Sequence, residues 1–349
     1  MSEFQVPIRP AVRNLPRYRP GKAAPGAVKL SSNEMPTPPS AHVLEAMKSA
    51  LESVNRYPDL MATPVREAIA KRFEVLPEQV CVGTGSSALL LAALSAVCSP
   101  GAKVVYPWRS FESYPIAIPA SHAQGVPVPL DEDGGHDVEG LVCAAQDATA
   151  LILCSPNNPT GPVLAFDTIR DIVEGVPASV LVLVDEAYID FANDPRVSSA
   201  IPLIEKHPNV LVLRTFSKVH ALAGVRVGYA IGNAELIGAI QAVSVPFGVS
   251  SVAQAAALAS LEDEAGVRAS AQAVIAERER VITALREVGL SVPDSQANFF
   301  FLPGLRADFV EACVDAGLIV RPFPEGVRVT LADPQANDRF LEVARRFAR

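Results

Sequence analysis

The stretch RTFSKVHALAGVR, residues 214–226, decides how this chain is interpreted. It follows four apolar residues with the composition of a buried strand. Thr215 and Ser217 flank Lys218, and Arg226 follows eight residues later. A lysine beyond a strand end, beside groups suited to a phosphate, fits a covalent aldehyde cofactor with a phosphate tail, because a neutral lysine amine forms a Schiff base with a carbonyl. An ordinary exposed loop lysine is the alternative that this segment alone leaves open.

The composition indicates a globular protein that does not bind nucleic acid. The chain has 349 residues, a net charge of −8, 49% hydrophobic and 19% charged residues. No uncharged apolar run is long enough to span a bilayer, and the basic, proline-rich first 20 residues lack the apolar core of a secretory signal. The five cysteines are widely spaced without a C-x-x-C pair, so we expect reduced thiols in a cytoplasmic protein. The five histidines form no H-x-x-x-H pair, so no metal site is expected.

Helical patterns alternate with short β-rich runs from about residue 39, which predicts βαβ units and a mostly parallel sheet. A long helical stretch at about 251–288 then interrupts the alternation, and the pattern of a smaller α+β domain follows. We therefore expect an α/β chain with a large domain at 39–250 and a small domain at 251–349. Residues 1–38 are expected to form an extended, proline-rich arm that packs with the small domain and the partner subunit. The expected helices and strands of the large domain are 41–54, 64–73 and 87–97, and 80–82, 103–106, 151–154, 181–184, 210–213 and 227–231.

The segment LVLVDEAY, residues 181–188, places Asp185 at the carboxyl end of a buried strand, where ligands bind in open α/β sheets. A carboxylate there can keep a pyridine ring nitrogen protonated, which makes the ring an electron sink. The same apolar-Asp-Glu form occurs in Walker-B strands, but the chain has no G-x-x-x-x-G-K-[ST] loop. An aspartate that caps a helix is the plain alternative.

Two further turns follow predicted strands. In SPNNPTG, residues 155–161, the amide of Asn158 could donate a hydrogen bond to a ring hydroxyl or oxyanion. In GTGSSA, residues 83–88, two glycines before a helix suit a phosphate. The second turn also matches the nicotinamide-binding G-x-G-x-x-[GA] fingerprint, but the acidic residue expected about 20 positions later is missing from the end of the next strand.

Three other side chains are weak signals individually. Tyr57 and Phe111 lie in loops, where aromatic residues more often serve packing. Arg328 lies within a short predicted strand of alternating apolar and polar residues, where an arginine is usually a charged residue at the surface or at the edge of a sheet. If it is buried it needs an anion, and a substrate carboxylate held bidentately is a good candidate.

Taken together, these segments resemble the fold-type-I pyridoxal-phosphate aminotransferases, most closely the histidinol-phosphate and aromatic aminotransferase group. The motifs N-P-T-G, apolar-D-E-A-Y, [TS]-x-S-K followed by A-G-x-R, and R-x-T occur in the family's order, and the resemblance runs from Arg13 to Arg328. It implies the PLP-dependent transferase fold of type I, pyridoxal 5′-phosphate as cofactor, and a homodimer with shared active sites. It also implies a role in amino-acid biosynthesis, with neither nucleic acid nor membrane as partner.

The resemblance also implies a role for each site residue. Lys218 would form the Schiff base and move the proton, Asp185 would pair with the ring nitrogen, and Tyr188 with Asn158 would hydrogen-bond the ring oxygen. Asn158 would also contact the substrate. The remaining roles are the phosphate site (Gly85, Ser86, Thr215, Ser217, Arg226, and Tyr57 from the other subunit), the ring face (Phe111), the substrate α-carboxylate (Arg328) and the substrate entrance (Tyr18).

Two departures from the family pattern bear on the substrate. Many histidinol-phosphate enzymes carry an acidic pair where this chain has Ser87 and Ala88, and the loop at 108–112 is more similar to the aromatic branch. We therefore expect amino transfer between an aromatic amino acid and a 2-oxo acid such as 2-oxoglutarate, with histidinol phosphate as the alternative substrate. A nicotinamide-dependent oxidoreductase and a non-enzymatic cofactor-binding regulator are the other classes considered.

Overall fold

The computed structural model describes residues 6–15 and 26–348. The strands are β1 Val28–Leu30, β2 Val80–Gly83, β3 Lys103–Trp108, β4 Gln124–Pro129, β5 Ala150–Cys154, β6 Leu181–Asp185, β7 Val210–Thr215, β8 Gly228–Gly232, β9 Phe299–Pro303, β10 Leu318–Phe323 and β11 Gly326–Thr330. The helices are α1 Pro10–Arg13, α2 Ala41–Leu51, α3 Thr63–Phe73, α4 Ser86–Val97, α5 Tyr114–Ala120, α6 Val138–Ala144, α7 Phe166–Gly175, α8 Ala234–Val243, α9 Ser251–Glu262, α10 Glu264–Glu287, α11 Ala307–Asp315 and α12 Pro334–Arg345.

Seven strands form the large sheet, in the order β2-β8-β7-β6-β5-β3-β4. Its strands are parallel except β8, which runs antiparallel to both β2 and β7. The prediction of an α/β chain with a mostly parallel sheet is confirmed. Because β5, β6 and β7 are parallel neighbours, their carboxyl ends meet at one edge of the sheet, and that edge carries the site described below.

The central strands are buried on both faces, which explains their continuous apolar sequences. Side chains alternate between two cores: Val182 and Val184 face helices α2, α3, α7 and α9, whereas Leu181 and Leu183 face α4, α5 and α8. Burying each such side chain contributes about 1.5–3 kcal/mol. The two helical layers therefore hold the strand ends in fixed register.

A second sheet has the order β1-β10-β11-β9 and packs against α10, α11 and α12 around a third core. Strand β1 pairs in parallel with β10, and Val28 lies opposite Leu318. The segment at 1–38 was expected to be an extended arm. Within its described residues this segment contains the short helix α1 and the strand β1, which pairs with the small sheet.

The helical stretch expected at 251–288 is divided into α9 and α10 at Asp263. The Asp263 side chain accepts a hydrogen bond from the Gly266 amide, so this residue caps the second helix. Helices α5, α6, α7 and α8 and strand β4 were not anticipated from the sequence. Among the described residues, no helix combines the length and apolar character needed to cross a membrane.

Candidate active site

A cavity of about 500 Å³ lies between the carboxyl edge of the large sheet and the small sheet. Residues 32–34, which follow β1, and Arg328 of β11 close it opposite the strand ends. The structure brings most of the residues singled out in the sequence to its wall: Ser86, Phe111, Asn158, Asp185, Tyr188, Thr215, Ser217, Lys218, Arg226 and Arg328.

Lys218 lies three residues beyond β7, and its Nζ donates to the carbonyl oxygens of Ser32 (3.3 Å) and Asn33 (3.2 Å). Burial, together with the charge of Arg328, lowers the pKa of Lys218 to about 7, although the Glu34 carboxylate opposes the shift. The amine is therefore substantially neutral near pH 7, which is the form that attacks a carbonyl.

Asp185 is the last residue of β6, and its carboxylate accepts hydrogen bonds from the Tyr114 hydroxyl (2.9 Å) and the Ala187 amide (3.2 Å). Burial raises the pKa of Asp185 to about 6, against these two hydrogen bonds and the charge of Lys218. Tyr114 was missed in the sequence analysis. The only signal for it was an aromatic residue three positions after Phe111.

The turn before α4 and the loop after β7 form a cationic recess. Gly85 has φ = 88°, which would strain any larger residue, and a Cβ there would lie 2.6 Å from Arg226 Nη2 and displace the guanidinium. Arg226 Nη1 donates to Ser217 Oγ (3.1 Å), and Thr215 Oγ1 accepts from the Ser217 amide (3.1 Å). The N-terminus of α4 adds backbone donors and its positive dipole end, so the recess suits a phosphate.

Arg328 is buried on β11 and faces the cavity. Its Nη1 donates to Asn158 Oδ1 (2.5 Å) and its Nη2 to the Ser31 carbonyl (2.6 Å). Because Arg328 uses Oδ1 of the Asn158 amide, the amide keeps its Nδ2 donor for another acceptor.

Two ion pairs join the loop after β3 to the β10–β11 hairpin. Arg109 holds Glu325 with two Nε–Oε contacts of 3.2 and 3.1 Å and an Nη2–Oε1 contact of 2.8 Å. Arg321 Nη2 donates to Glu112 Oε2 at 2.7 Å. Each segment thus contributes one arginine and one glutamate, and we call these four residues the clasp. Sequence analysis did not anticipate the clasp.

Two of the predicted residues are not part of the cavity wall, and a third is not among the described residues. The Tyr57 ring is 82% exposed, packs against Phe247 with a centroid distance of 4.7 Å, and is not part of the cavity wall of its own chain. Gly85 lies in the turn that forms the cationic recess, against Arg226. Tyr18 lies outside the described residues.

The residues present fit pyridoxal 5′-phosphate. The cationic recess suits its phosphate, the neutral amine of Lys218 suits its aldehyde, and the buried carboxylate of Asp185 suits its ring nitrogen. Phe111 and Ala187 line the same cavity and are suited to cover a flat ring.

Residues 25–343 match the family described as aminotransferase class I and II. The chain belongs to this family. Aminotransferases of this class depend on pyridoxal phosphate, so the chain is a pyridoxal-phosphate-dependent transaminase. It is 45% identical over 355 residues to an aromatic amino acid aminotransferase of Streptomyces avermitilis, covering 99% of both chains. It is 46% identical to the enzyme of that name from Rhodococcus erythropolis, covering 97% of this chain and 95% of the relative.

Solved aminotransferase structures share the fold. Histidinol-phosphate aminotransferase of Sinorhizobium meliloti, in complex with pyridoxal 5′-phosphate, aligns with a TM-score of 0.87 at 26% identity over 98% of each chain. A mutant of Thermus thermophilus aspartate aminotransferase aligns with a TM-score of 0.83 at 25% identity, covering 98% of this chain and 99% of the other.

Proposed function

We propose that this aminotransferase moves the amino group of an aromatic amino acid, phenylalanine or tyrosine, to a 2-oxo acid such as 2-oxoglutarate. The full-length relatives at 45–46% identity carry the name aromatic amino acid aminotransferase, which supports this substrate class. One structural observation carries the proposal: Arg321, which lies opposite Arg328 on the neighbouring strand, is paired with Glu112.

Arg321 lies directly opposite Arg328 on the neighbouring strand, and both guanidinium carbons lie 5.8 Å from the centre of the Phe323 ring. Two like charges opposite each other in a sheet repel, so this arrangement calls for anions. Glu112 supplies one anion at Arg321, and the α-carboxylate of an amino acid is suited to Arg328. With Arg321 paired, the site is matched to a substrate that brings one carboxylate and an uncharged ring.

The residues at the cavity wall take the following roles in this proposal. Bound pyridoxal phosphate supplies an electron-withdrawing ring. Lys218 would bind its aldehyde and carry the proton to and from the substrate Cα, while Asp185 would hold the ring nitrogen protonated. Tyr188 and Asn158 would donate to the ring oxygen, and Asn158 would also contact the substrate. The phosphate would be held by Gly85, Ser86, Thr215, Ser217 and Arg226. Phe111 would cover the ring, and Arg328 would bind the α-carboxylate.

Histidinol phosphate is the second candidate substrate, because the histidinol-phosphate aminotransferase of Sinorhizobium meliloti shares the fold over 98% of this chain. Histidinol phosphate brings a phosphate and no carboxylate. A phosphate near Arg328 would require additional positive charge, and in this structure Glu112 offsets the charge of Arg321. The clasp therefore favours the aromatic substrate.

The proposal predicts a higher kcat/KM for phenylalanine or tyrosine than for histidinol phosphate. Steady-state kinetics of the purified wild-type enzyme with each donor measures this ratio. A preference for histidinol phosphate of about tenfold or more, equivalent to about 1.4 kcal/mol, contradicts the aromatic assignment and leaves the second candidate standing. Glu112→Gln keeps the shape of the side chain but removes the negative charge beside Arg321. We expect this variant to lower the ratio of kcat/KM for phenylalanine to kcat/KM for histidinol phosphate.

We also propose a cytoplasmic homodimer of amino-acid biosynthesis, with an arm at 1–38, a large domain at 39–250 and a small domain at 251–349. The separation of the two sheets supports this division. Exposed apolar side chains support the dimer: Tyr57, Leu60, Val243 and Val245 are 82%, 55%, 49% and 76% exposed. The last three border a second cavity of about 420 Å³. Exposed apolar surface of this kind is suited to a second copy of the chain.

If Tyr57 completes the phosphate site of the partner subunit, two differently damaged subunits can restore one site. We expect Tyr57→Ala and Lys218→Ala homodimers each to be nearly inactive. After subunit exchange, a heterodimer holds one site with both defects and one site with neither, so part of the activity should return. Activity assays on mixtures with exchange confirmed by mass spectrometry provide the measurement. No recovery after confirmed exchange argues against a shared site.

A further inference from the structure

Asn33 occupies a central position in the wall of the cavity. It is 1% exposed, it follows β1, and its backbone carbonyl accepts hydrogen bonds from Lys218 Nζ (3.2 Å) and Asn298 Nδ2 (3.2 Å). Its side chain lies between Thr330, the last residue of β11, and Tyr188. One residue therefore contacts the proposed catalytic lysine, the proposed ring-oxygen donor and the strand that carries Arg328.

The chemistry of these contacts fixes the direction of each hydrogen bond. The Asn33 backbone amide can only donate, and it donates to Thr330 Oγ1 at 2.9 Å. The Thr330 hydroxyl has one proton, which it gives to Asn33 Oδ1 at 2.9 Å. Because Oδ1 is the acceptor, the amide of Asn33 must direct Nδ2 at Tyr188, where it donates to the phenol oxygen at 3.0 Å. If the Asn33 amide were flipped, its Nδ2 and the Asn33 backbone amide would both donate to Thr330 Oγ1, and the Thr330 hydroxyl proton would lose Oδ1 as its acceptor.

The orientation of the Asn33 amide determines where the Tyr188 hydroxyl can donate its proton. A phenol has one proton, and the Asn33 side of its oxygen already faces a donor, so the proton must be given in another direction. Tyr188 lines the cavity, and burial is the main cause that raises its pKa, so the hydroxyl stays protonated across the physiological range. We propose that Asn33 is a positioning residue that makes Tyr188 a hydrogen-bond donor toward the oxygen of the cofactor ring. This inference rests on the proposed role of Tyr188.

The same chain of hydrogen bonds connects Tyr188 to the small sheet. Thr330 lies two residues beyond Arg328 on β11, and the strand pairs with β9 over its whole length. The strand that binds the substrate carboxylate in our proposal thus also fixes the Asn33 amide. Correct seating of β11 orients the donor that acts on the ring oxygen.

Asn33→Asp tests the inference with little change in shape. The residue has φ = 55°, a left-handed conformation that Asp tolerates as Asn does. A carboxylate only accepts, so one oxygen would take the Thr330 proton and the other would take the Tyr188 proton, which turns Tyr188 away from the ring. A ring oxygen that loses a donor holds its proton more tightly. We expect the pH midpoint of the visible absorption band of bound pyridoxal phosphate to rise by roughly one unit.

A new negative charge could raise the midpoint without Tyr188, so Asn33→Asp is repeated in a Tyr188→Phe background. If Asn33 acts through the phenol, the double variant should have nearly the same pH midpoint as Tyr188→Phe alone. A full shift in that background, or no shift in the single variant, overturns the inference. Thr330→Val and Thr330→Ser give an independent test without a new charge. The pH midpoint should rise in Thr330→Val, which lacks the hydroxyl, and stay at the wild-type value in Thr330→Ser, which keeps it. An equal midpoint in the two variants also overturns the inference.

The threonine variants carry the test if Asn33→Asp fails to fold, which circular dichroism and thermal unfolding would show. Failure of the proposed function gives a different result. In that case the wild-type enzyme prefers a donor other than phenylalanine or tyrosine, whereas the absorption titration of the bound cofactor still reports on Asn33.

Discussion

Lys218→Ala is expected to bind pyridoxal phosphate only non-covalently and to lose at least about 10²- to 10⁴-fold in turnover, because the variant lacks both the attacking amine and the proton carrier. The cationic recess around Arg226 and Ser217 is separate from the lysine amine, so the cofactor should still be retained reversibly. Borohydride reduction of the wild-type enzyme, followed by peptide mapping, should place the label on Lys218.

Lys103→Ala is the matched control for this experiment. Lys103 begins β3, pairs with Asp147 at the surface, and lies outside the cavity wall. The control should keep its covalent cofactor and its turnover. A label on any lysine other than Lys218 contradicts the assignment.

The lowered pKa of Lys218 adds a pH dependence to the same prediction. An amine attacks only when neutral, and burial beside Arg328 brings the pKa of Lys218 to about 7. The rate at which cofactor-free enzyme captures pyridoxal phosphate should therefore rise as pH increases through about 7 and level off above it, rather than continue to rise toward pH 10. Stopped-flow absorbance at constant ionic strength measures this profile.

Asp185→Ala should retain the fold but slow the half-reaction with phenylalanine by about 10²- to 10³-fold, the usual loss for one pre-organised charge-stabilising group. A buried carboxylate stabilises a protonated ring nitrogen by attraction in a low dielectric, and alanine leaves that nitrogen mostly neutral. Single-turnover absorbance changes under anaerobic, buffered conditions measure the rate. A half-reaction that keeps its wild-type rate is incompatible with this role.

The neighbouring residue offers a matched control. Glu186 is equally buried, but its carboxylate accepts from Ser199 Oγ (2.8 Å) and the Ala200 amide (2.7 Å), and it is not part of the cavity wall. Glu186→Gln removes a buried charge without touching the ring. We expect it to lower the thermal stability while leaving the half-reaction rate of the folded enzyme within about threefold of wild type.

The parts of the site that were predictable from sequence lie at strand ends. Asn158, Asp185 and Lys218 each follow an apolar run, and parallel strands place such positions at one edge. The order β5-β6-β7 then brings them together without further information. The same logic predicted the sheet itself, because β5, β6 and β7 have continuous apolar sequences that indicate burial on both faces.

The parts that were missed depend on pairings between distant segments. Asn33 meets Thr330 across 297 positions, and Glu112 meets Arg321 across 209, and no local pattern marks either partner. Tyr114 lies at the start of α5, and its hydroxyl reaches Asp185 because α5 packs on one face of the large sheet. Polar residues of this kind are identified by their partners, and the partners become known only with the fold.

The pairing of β1 with β10 has a consequence for how the protein is made. A ribosome delivers residues 28–33 before the large sheet, but Leu318 and Thr330, which hold that segment in place, emerge almost 300 residues later. The large sheet can assemble while the chain is still growing, because all its strands lie between Val80 and Gly232. The first segment must wait, since closing so long a loop gains nothing until its partner strand exists. The cavity is thus completed only when two segments almost 300 residues apart have met, and a nascent chain that stops short of β11 carries a finished sheet without a working site.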